Sequence, residues 1–512
     1  MRTASLAALA CLLALPIQAE PLRIAVQGET TSIDPHFQDI GPNIALRQHI
    51  FDALLRTSPT SEILPGLADS WRITDDPLVW EIRLRAGARF HDGTPVTAED
   101  AAFSLRRAPR VPNAPATVGR YLRDIADIEV VDERTLRIRT TEPSPILPNN
   151  LAAVAIMPAR TGMAAESRAF NSGALAIGSG PFRFVEWVPG SHVRLAANPD
   201  HWAGTPPWSE VTIRPIANNG ARVASLLAGD VDVIAAVPPV DVARLRREPR
   251  LSIWDGVSNR VVFWTMDIGR ERTPHVTAKD GSAIANPFRD RRVREAVLLA
   301  LDRRAIVDRV MEGLAVPAAQ LVPPGMPGHD AGISLPPADL ARARALMAEA
   351  GLADGFRLLL HSTTGRYPND QRQAETIAQM LARIGIEAQV QTMPLSVYFN
   401  EARRFSFSFN LVSWGFTTGD TYVILREALR SNSGNNYGRY AHPAVDAALD
   451  AARTEMNPAR RAELLASAER QANADIAYLP THYQVNVWAG RAGLTMAPRM
   501  DEATLAHEIR HR

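Results

Sequence analysis

Segments with the two-residue period of a strand and segments with the 3.6-residue period of a helix alternate from residue 22 almost to the end of the chain. This interleaving restricts the fold to α/β or mixed α+β layers built on mixed sheets. Residues 22–27 alternate apolar and polar side chains, and residues 28–35 then turn the chain. Residues 43–55 have helical spacing through Leu46, Ile50 and Leu54. Residues 71–84 read as a hairpin about Asp75-Asp76-Pro77, and Thr97 with Asp100 three residues on reads as the N-cap of a helix. Further strands are predicted around 128–130, 136–138, 183–187, 193–196 and 231–234. From Asp290 the pattern is mainly helical, with Asp290, Asp302 and Asn369 as caps, Gly313 and Gly385 as stops, and one strand at 407–414. No internal repeat is present.

At 512 residues the chain has room for two to four domains of ~100–200 residues each. Its 56 Lys plus Arg against 55 Asp plus Glu leave a formal charge of +1, and Lys279 is the only lysine. So balanced a surface lacks the field that holds a phosphate backbone, and no nucleic-acid partner is expected. Arginine, which supplies the rest of the positive charge, has a fixed fork suited to bidentate capture of carboxylates. Residues 1–19 have the form of an export signal: Arg2, an apolar run over 6–15, Pro16, then Ile17-Gln18-Ala19 before Glu20. Cleavage is expected after Ala19. No later stretch reaches about 18 uninterrupted apolar residues, since 221–237 is broken by Asp230 and Asp232. Cys11, the single cysteine, leaves with the signal, so no disulfide or thiol chemistry is expected in the mature chain.

His507-Glu508-Ile509-Arg510-His511 matches H-E-x-x-H, in which two histidines one helical turn apart bind zinc and the glutamate activates water. A secreted zinc hydrolase using His507, Glu508 and His511 is therefore the reading from another functional class. Against it, His511 is the penultimate residue, and a third ligand from downstream has no chain to come from. No G-x-S-x-G or Walker loop occurs, and Gly178-Ser179-Gly180-Pro181 places proline where a nucleotide-binding turn would open its helix. His91-Asp92-Gly93-Thr94-Pro95 is ordinary turn chemistry. Neither catalytic residues nor a cofactor are expected.

Several segments, in order, resemble the extracellular solute-binding proteins of the peptide, nickel and opine class, family 5, which serve ABC importers. They are Thr31-Ser32-Ile33-Asp34-Pro35-His36, Leu67-Ala68-Asp69-Ser70-Trp71, the run from Phe90 to Asp100, Gly178-Ser179-Gly180-Pro181-Phe182, Asn198-Pro199-Asp200-His201-Trp202, and Phe288-Arg289-Asp290-Arg291-Arg292-Val293-Arg294. The resemblance implies a two-lobe periplasmic binding protein fold of type II with three domains and a ligand cleft between the lobes. Domain I would comprise 20–50, 170–262 and 480–512, domain II 51–169, and domain III 263–479. The implied role is that of a non-enzymatic, monomeric periplasmic carrier that closes on a solute and delivers it to the permease subunits of an importer in the inner membrane.

The same resemblance nominates ligand contacts. Residues 409–420 are similar to the family's strand leading into a W-x-x-D turn, whose tryptophan packs on the ligand and whose aspartate pairs with a peptide's α-amine. Trp414 is present here, and Thr417 occupies the aspartate position. A hydroxyl cannot offset the burial of an ammonium group. Asp420 either substitutes for it or stabilises the turn beside Gly419. Gly365-Arg366-Tyr367-Pro368-Asn369 resembles the stretch that gives an arginine to the ligand carboxylate in dipeptide binders, which makes Arg366 the anion anchor. Tyr367, Tyr437, Tyr440 and Tyr483 are further lining residues, and Thr30 and Thr31 border the cleft. A small peptide or peptide-like solute is the expected cargo. The loss of aspartate at 417 makes a carboxylated non-peptide solute, opine-like or a sugar acid, the alternative, with a metal chelate after it.

Overall fold

Residues 251–266 and 478–491 are dense in β-branched and aromatic side chains, and they form the two longest strands, Leu251–Met266 and Tyr478–Arg491. The computed structural model describes residues 20–512 apart from Ala116, Leu335 and Thr417; the expected export signal lies outside the described residues. The two strands pair antiparallel at the centre of a twelve-stranded mixed sheet. Their register breaks between Val257 and Val261 and again between Val262 and Phe263, so that Ser258, Asn259 and Arg260 form a bulge halfway along.

The sheet runs on in both directions from this pair. On one side, Leu251–Met266 pairs with Phe409–Trp414, which lies parallel to Arg357–Thr363. On the other, Tyr478–Arg491 pairs with Val233–Ile234, then Leu22–Val26 and Glu210–Pro215 follow in parallel, and His192–Ala197 and Phe182–Val188 complete the edge. The period of two is visible in the packing. Val262, Trp264 and Met266 face a core shared with helices Arg291–Ala300, Leu340–Glu349 and Asp370–Ala382. Val261 and Phe263 face the opposite core with helices Tyr422–Leu429, Pro443–Thr454 and Pro458–Ala474. Across the bulge, Leu22, Ile24 and Trp488 pack on one face while Ala25, Val487 and Ala489 pack on the other. The result is the mixed α/β, two-lobe architecture expected from the sequence.

A separate four-stranded antiparallel sheet, in the order Ala68–Ile73, Val79–Leu84, Thr135–Thr140, Ile125–Asp132, is covered by helix Ala98–Arg107. That helix starts where the sequence places it. Thr97 Oγ1 accepts from the Asp100 amide at 3.3 Å, and the Asp100 carboxylate accepts from the Thr97 amide at 2.9 Å. Thr97→Ala is expected to lower stability by about 1 kcal/mol, read as a shift in the urea midpoint. The other end of the helix carries a wholly buried ion pair. Arg107 Nη1 and Nη2 donate to Asp34 Oδ1 and Oδ2 at 3.0 and 2.7 Å, fastening the 32–36 turn to the four-stranded unit.

Two predicted caps differ in detail. Asp290 caps as expected, accepting from the Arg292 amide at 2.9 Å. Asn369 does not: it has left-handed backbone, φ 54°, and its side-chain Nδ2 donates instead to the Val310 carbonyl at 2.7 Å. The adjacent Asp370 carboxylate instead pins the loop before the helix, accepting from the backbone amides of Gly365, Arg366 and Tyr367. The helix predicted over 43–55 is Gly41–Ile50, because the Ile50 carbonyl accepts from Gly180 and the chain then extends.

Candidate functional site

The bulge in the central strand pair lies at the floor of a cleft of about 2060 Å³ between the lobes. Pockets for small organic ligands usually measure ~300–1,000 Å³, so this one has room for a solute larger than a single amino acid. At the floor, Arg260 Nε donates to Glu502 Oε1 at 2.8 Å and Ser258 Oγ donates to the same oxygen at 2.9 Å. Burial pushes the Glu502 carboxyl up, but the Arg260 charge and hydrogen bonds outweigh it and hold the group below the usual carboxylate range. Asn259 Nδ2 donates to the Phe416 carbonyl at 2.8 Å, tying the loop after Trp414 to the bulge.

Trp414 ends the strand Phe409–Trp414; it is partly buried, packs on the core behind it and lines the cleft. Arg366 also lines the cleft and is exposed, with its guanidinium carbon 5.0 Å from the Tyr367 ring centre. Its backbone amide is held by Asp370, and among the described residues no carboxylate pairs with its side chain. Several other arginines of the cleft have acidic partners: Arg47 and Arg120 share Asp39, Arg453 pairs with Glu142, and Arg426 pairs with Glu427; Arg56, Arg123, Arg403 and Arg510 line it without one among the described residues. Tyr367 and Tyr437 are buried lining residues whose hydroxyls donate to the Ser413 carbonyl at 3.3 Å and to Asn435 Oδ1 at 3.0 Å. Thr30 lines the opposite wall.

The structure removes several sequence nominations from the cleft. Asp420 does not line it: its carboxylate accepts from Arg461 Nη1 and Nη2 at 2.7 and 3.0 Å and from the Tyr422 amide at 2.9 Å, so it stabilises the turn. Thr31 is turned into the 31–43 loop, where its amide donates to Asn43 Oδ1 and its hydroxyl to Gln38. Tyr483 is buried, donating to the Gln320 and Val322 carbonyls at 2.9 Å each, and Tyr440 donates to Asp475 Oδ2 at 2.7 Å. Both are framework residues. Thr417 lies outside the described residues.

The H-E-x-x-H tail is not a helix. Ala506–Glu508 is a short 3-10 turn, and Arg510–His511 pairs as a strand with Leu494–Thr495, so His507 and His511 do not share a helical face. Glu508 accepts from Arg499 Nη1 at 2.7 Å, and His511 packs on Trp208 with ring centres 4.7 Å apart. Burial drives the His507 imidazole well below its ordinary pKa. Among the described residues no group of three His, Cys, Asp or Glu side chains has a metal-binding arrangement.

Sequence reasoning missed Arg260 and Glu502, which are 242 positions apart and carry no local signal. It also missed Phe399 and Arg403, which line the cleft from helix Leu395–Arg403. The four-residue spacing of Leu395, Phe399 and Arg403 was the available clue.

Comparisons with known proteins show the family and the fold. The family profile for bacterial extracellular solute-binding proteins, family 5 middle, matches residues 62–436. The chain is 28% identical to the di/tripeptide-binding protein 2 of Pseudomonas aeruginosa, with 96% of each protein covered. It is 26% identical to the heme-binding protein A of Haemophilus influenzae, covering 86% of this chain and 83% of that one. The solved structure of HbpA2 from Haemophilus parasuis superposes with a TM-score of 0.83 at 22% identity, over 96% of this chain and all of the other.

Proposed function

The chain belongs to the bacterial extracellular solute-binding proteins, family 5, non-enzymatic substrate-binding components of ABC transporters, and from that premise we propose that it captures a short peptide or peptide-like solute by its carboxylate at Arg366. In this reading it works in the periplasm as a monomer and delivers the solute to the permease subunits of its importer. One observation carries the choice of group: Arg366 lines the cleft beside the Tyr367 ring without an acidic partner among the described residues, whereas Arg47, Arg120, Arg426 and Arg453 are paired. A planar fork held over Tyr367 is suited to a bidentate carboxylate, and Trp414 offers a ring for the solute's backbone. The relative named as a di/tripeptide-binding protein agrees with the peptide class.

Three units serve this role: domain I at 20–50, 170–262 and 480–512, domain II at 51–169 and domain III at 263–479. The hydrophobic cores support that division, with one core under the four-stranded sheet, two on the faces of the sheet beyond Val261, and two on the other side of the bulge; Phe51, Phe103, Ala155 and Met157 of the second unit join the core of Leu22 and Ile24 and so couple it to the first.

Arg366→Ala is expected to weaken a bound dipeptide about tenfold to hundredfold by calorimetry, the effect of losing a charge-assisted hydrogen bond worth about 1.5–3 kcal/mol. Unchanged affinity for every peptide that binds the unaltered protein overturns the assignment. The engagement of Asp420 by Arg461 favours a second reading within the same role, a carboxylated solute without a free amine, such as an opine-like compound or a sugar acid. Equal binding of a dipeptide and its N-acetyl form supports that reading; loss on acetylation counts against it.

A further inference from the structure

We infer that the solute carries two anionic groups, and that Arg403 receives the second. This rests on the reading of Arg366 given above. Helix Leu395–Arg403 buries Tyr398 and Ala402, four residues apart, in the core. The remaining row with the same spacing, Leu395, Phe399 and Arg403, lines the cleft. Arg403 ends that row, is exposed, and among the described residues pairs with no carboxylate.

On the wall that carries Tyr367 and Tyr437, two arginines lack a carboxylate partner among the described residues, Arg366 beside Tyr367 and Arg403 within reach of Tyr437; Arg56, Arg123 and Arg510, also unpaired among the described residues, enter the cleft from other segments. Burial pushes the Tyr437 phenol up to about 12 while the Arg403 charge pulls the other way, and Tyr367 is near enough to act on Tyr437 as well. Burial likewise raises Tyr367, against the charges of Arg260 and Arg366. Both phenols are therefore neutral and offer no counter-charge. The carboxylates of this wall are taken too. Asp370 is held by three backbone amides of the 365–367 loop, and Glu427 by Arg426, Ser433 and Asn435. Glu401, on the same helix as Arg403, pairs with Arg404 and accepts from Ser406.

A monoanionic solute held at Arg366 would leave Arg403, on the same wall, uncompensated; a dianion satisfies both of these guanidiniums. Leu395 and Phe399 lie before Arg403 in the same row, so the part of the solute reaching toward Arg403 is apolar, aliphatic or aromatic. The ligand class is thus a compound with two carboxylates or phosphates separated by a hydrocarbon segment.

The test is calorimetric titration of the mature protein with pairs of compounds differing in one charge: Ala-Glu against Ala-Gln, and glutarate against its monoamide. In at least one pair the dianion is expected to bind about tenfold tighter at low ionic strength, with the ratio falling to about twofold or less in Arg403→Gln and partly restored in Arg403→Lys. Equal binding of dianion and amide, binding of no dianion, or a ratio that survives Arg403→Gln overturns the proposal. Arg366→Gln separates the two readings. If it weakens both members of a pair alike while their affinities are equal, the carboxylate anchor stands and the second subsite falls; if it weakens neither, the anchor itself falls.

Discussion

Replacing Arg107 with methionine is expected to destabilise the protein by about 3–5 kcal/mol, the largest effect of any single substitution considered for this fold. Both members of the Asp34–Arg107 pair have fully buried side chains. Arg107 also donates to the Ala165 carbonyl at 3.0 Å and lies 4.9 Å from the Phe170 ring centre, while Asp34 accepts from Ser167 Oγ and the His36 amide. Burial pushes the Asp34 carboxyl up, and the Arg107 hydrogen bonds and charge, with the His36 contacts, bring it below its ordinary value. Removing the guanidinium leaves a buried carboxylate whose chief counter-charge is gone, so it must ionise at a cost or take up a proton. The loss should therefore shrink as the pH falls toward 5. Urea unfolding of Arg107→Met at pH 8 and pH 5, beside the double variant Asp34→Asn/Arg107→Met, checks both parts. A single variant as stable as the unaltered chain at pH 8 refutes the argument.

The second prediction has the opposite sign. Glu469 is fully buried in helix Pro458–Ala474, where one oxygen accepts from the Leu321 amide at 2.8 Å and from the Tyr478 hydroxyl, and the other has no partner among the described residues. Burial pushes its pKa up to about 7, with the hydrogen bonds from Tyr478 and Leu321 opposing. A raised carboxyl means that the native state holds a proton the unfolded chain has already released. The stabilising contribution is complete below about pH 4.3, declines as the pH rises, and is gone above about 7. Glu469→Gln keeps the two acceptor contacts through its carbonyl and cannot ionise. It is expected to be more stable than the unaltered protein by about 2–3 kcal/mol at pH 8 and nearly equal to it at pH 4.5. Denaturant midpoints at the two pH values measure this, and a gain of the same size at both would assign the effect to packing instead of ionisation.

The features readable from the sequence are those whose cause is local. The capping box at Thr97 and Asp100, the cap at Asp290 and the strand ending at Trp414 depend on residues within a few positions of one another. The family motifs were readable as signatures, though their residues turn out to serve the framework. Asp34 neutralises Arg107, and Gly178 and Gly180 pass so close to the Ile50 carbonyl that a Cβ at either would fall within 2.8 Å of it. What was not readable depends on partners far along the chain. Nothing near Asp420 announces Arg461, 41 residues later, and nothing near Tyr483 announces the Gln320 and Val322 carbonyls. The H-E-x-x-H tail misleads for the same reason. Its pattern assumes a helix, and pairing with Leu494–Thr495 makes part of it a strand.

In the proposed closure on a solute, the interrupted ladder between the two longest strands is where the molecule would pivot. The cross-strand register is continuous from Leu251 to Val257 and again from Phe263 to Thr265, with both breaks confined to 257–263, so bending there does not require peeling the sheet apart. The resistance comes instead from a few side-chain contacts: Ser258 and Arg260 on Glu502, and Asn259 on the Phe416 carbonyl. Two of these reach the C-terminal segment and one reaches the loop that follows Trp414. The stiffness of the swing between lobes is thereby governed from beside the solute itself, and whatever displaces the 414–416 loop also loads the axle on which the halves turn.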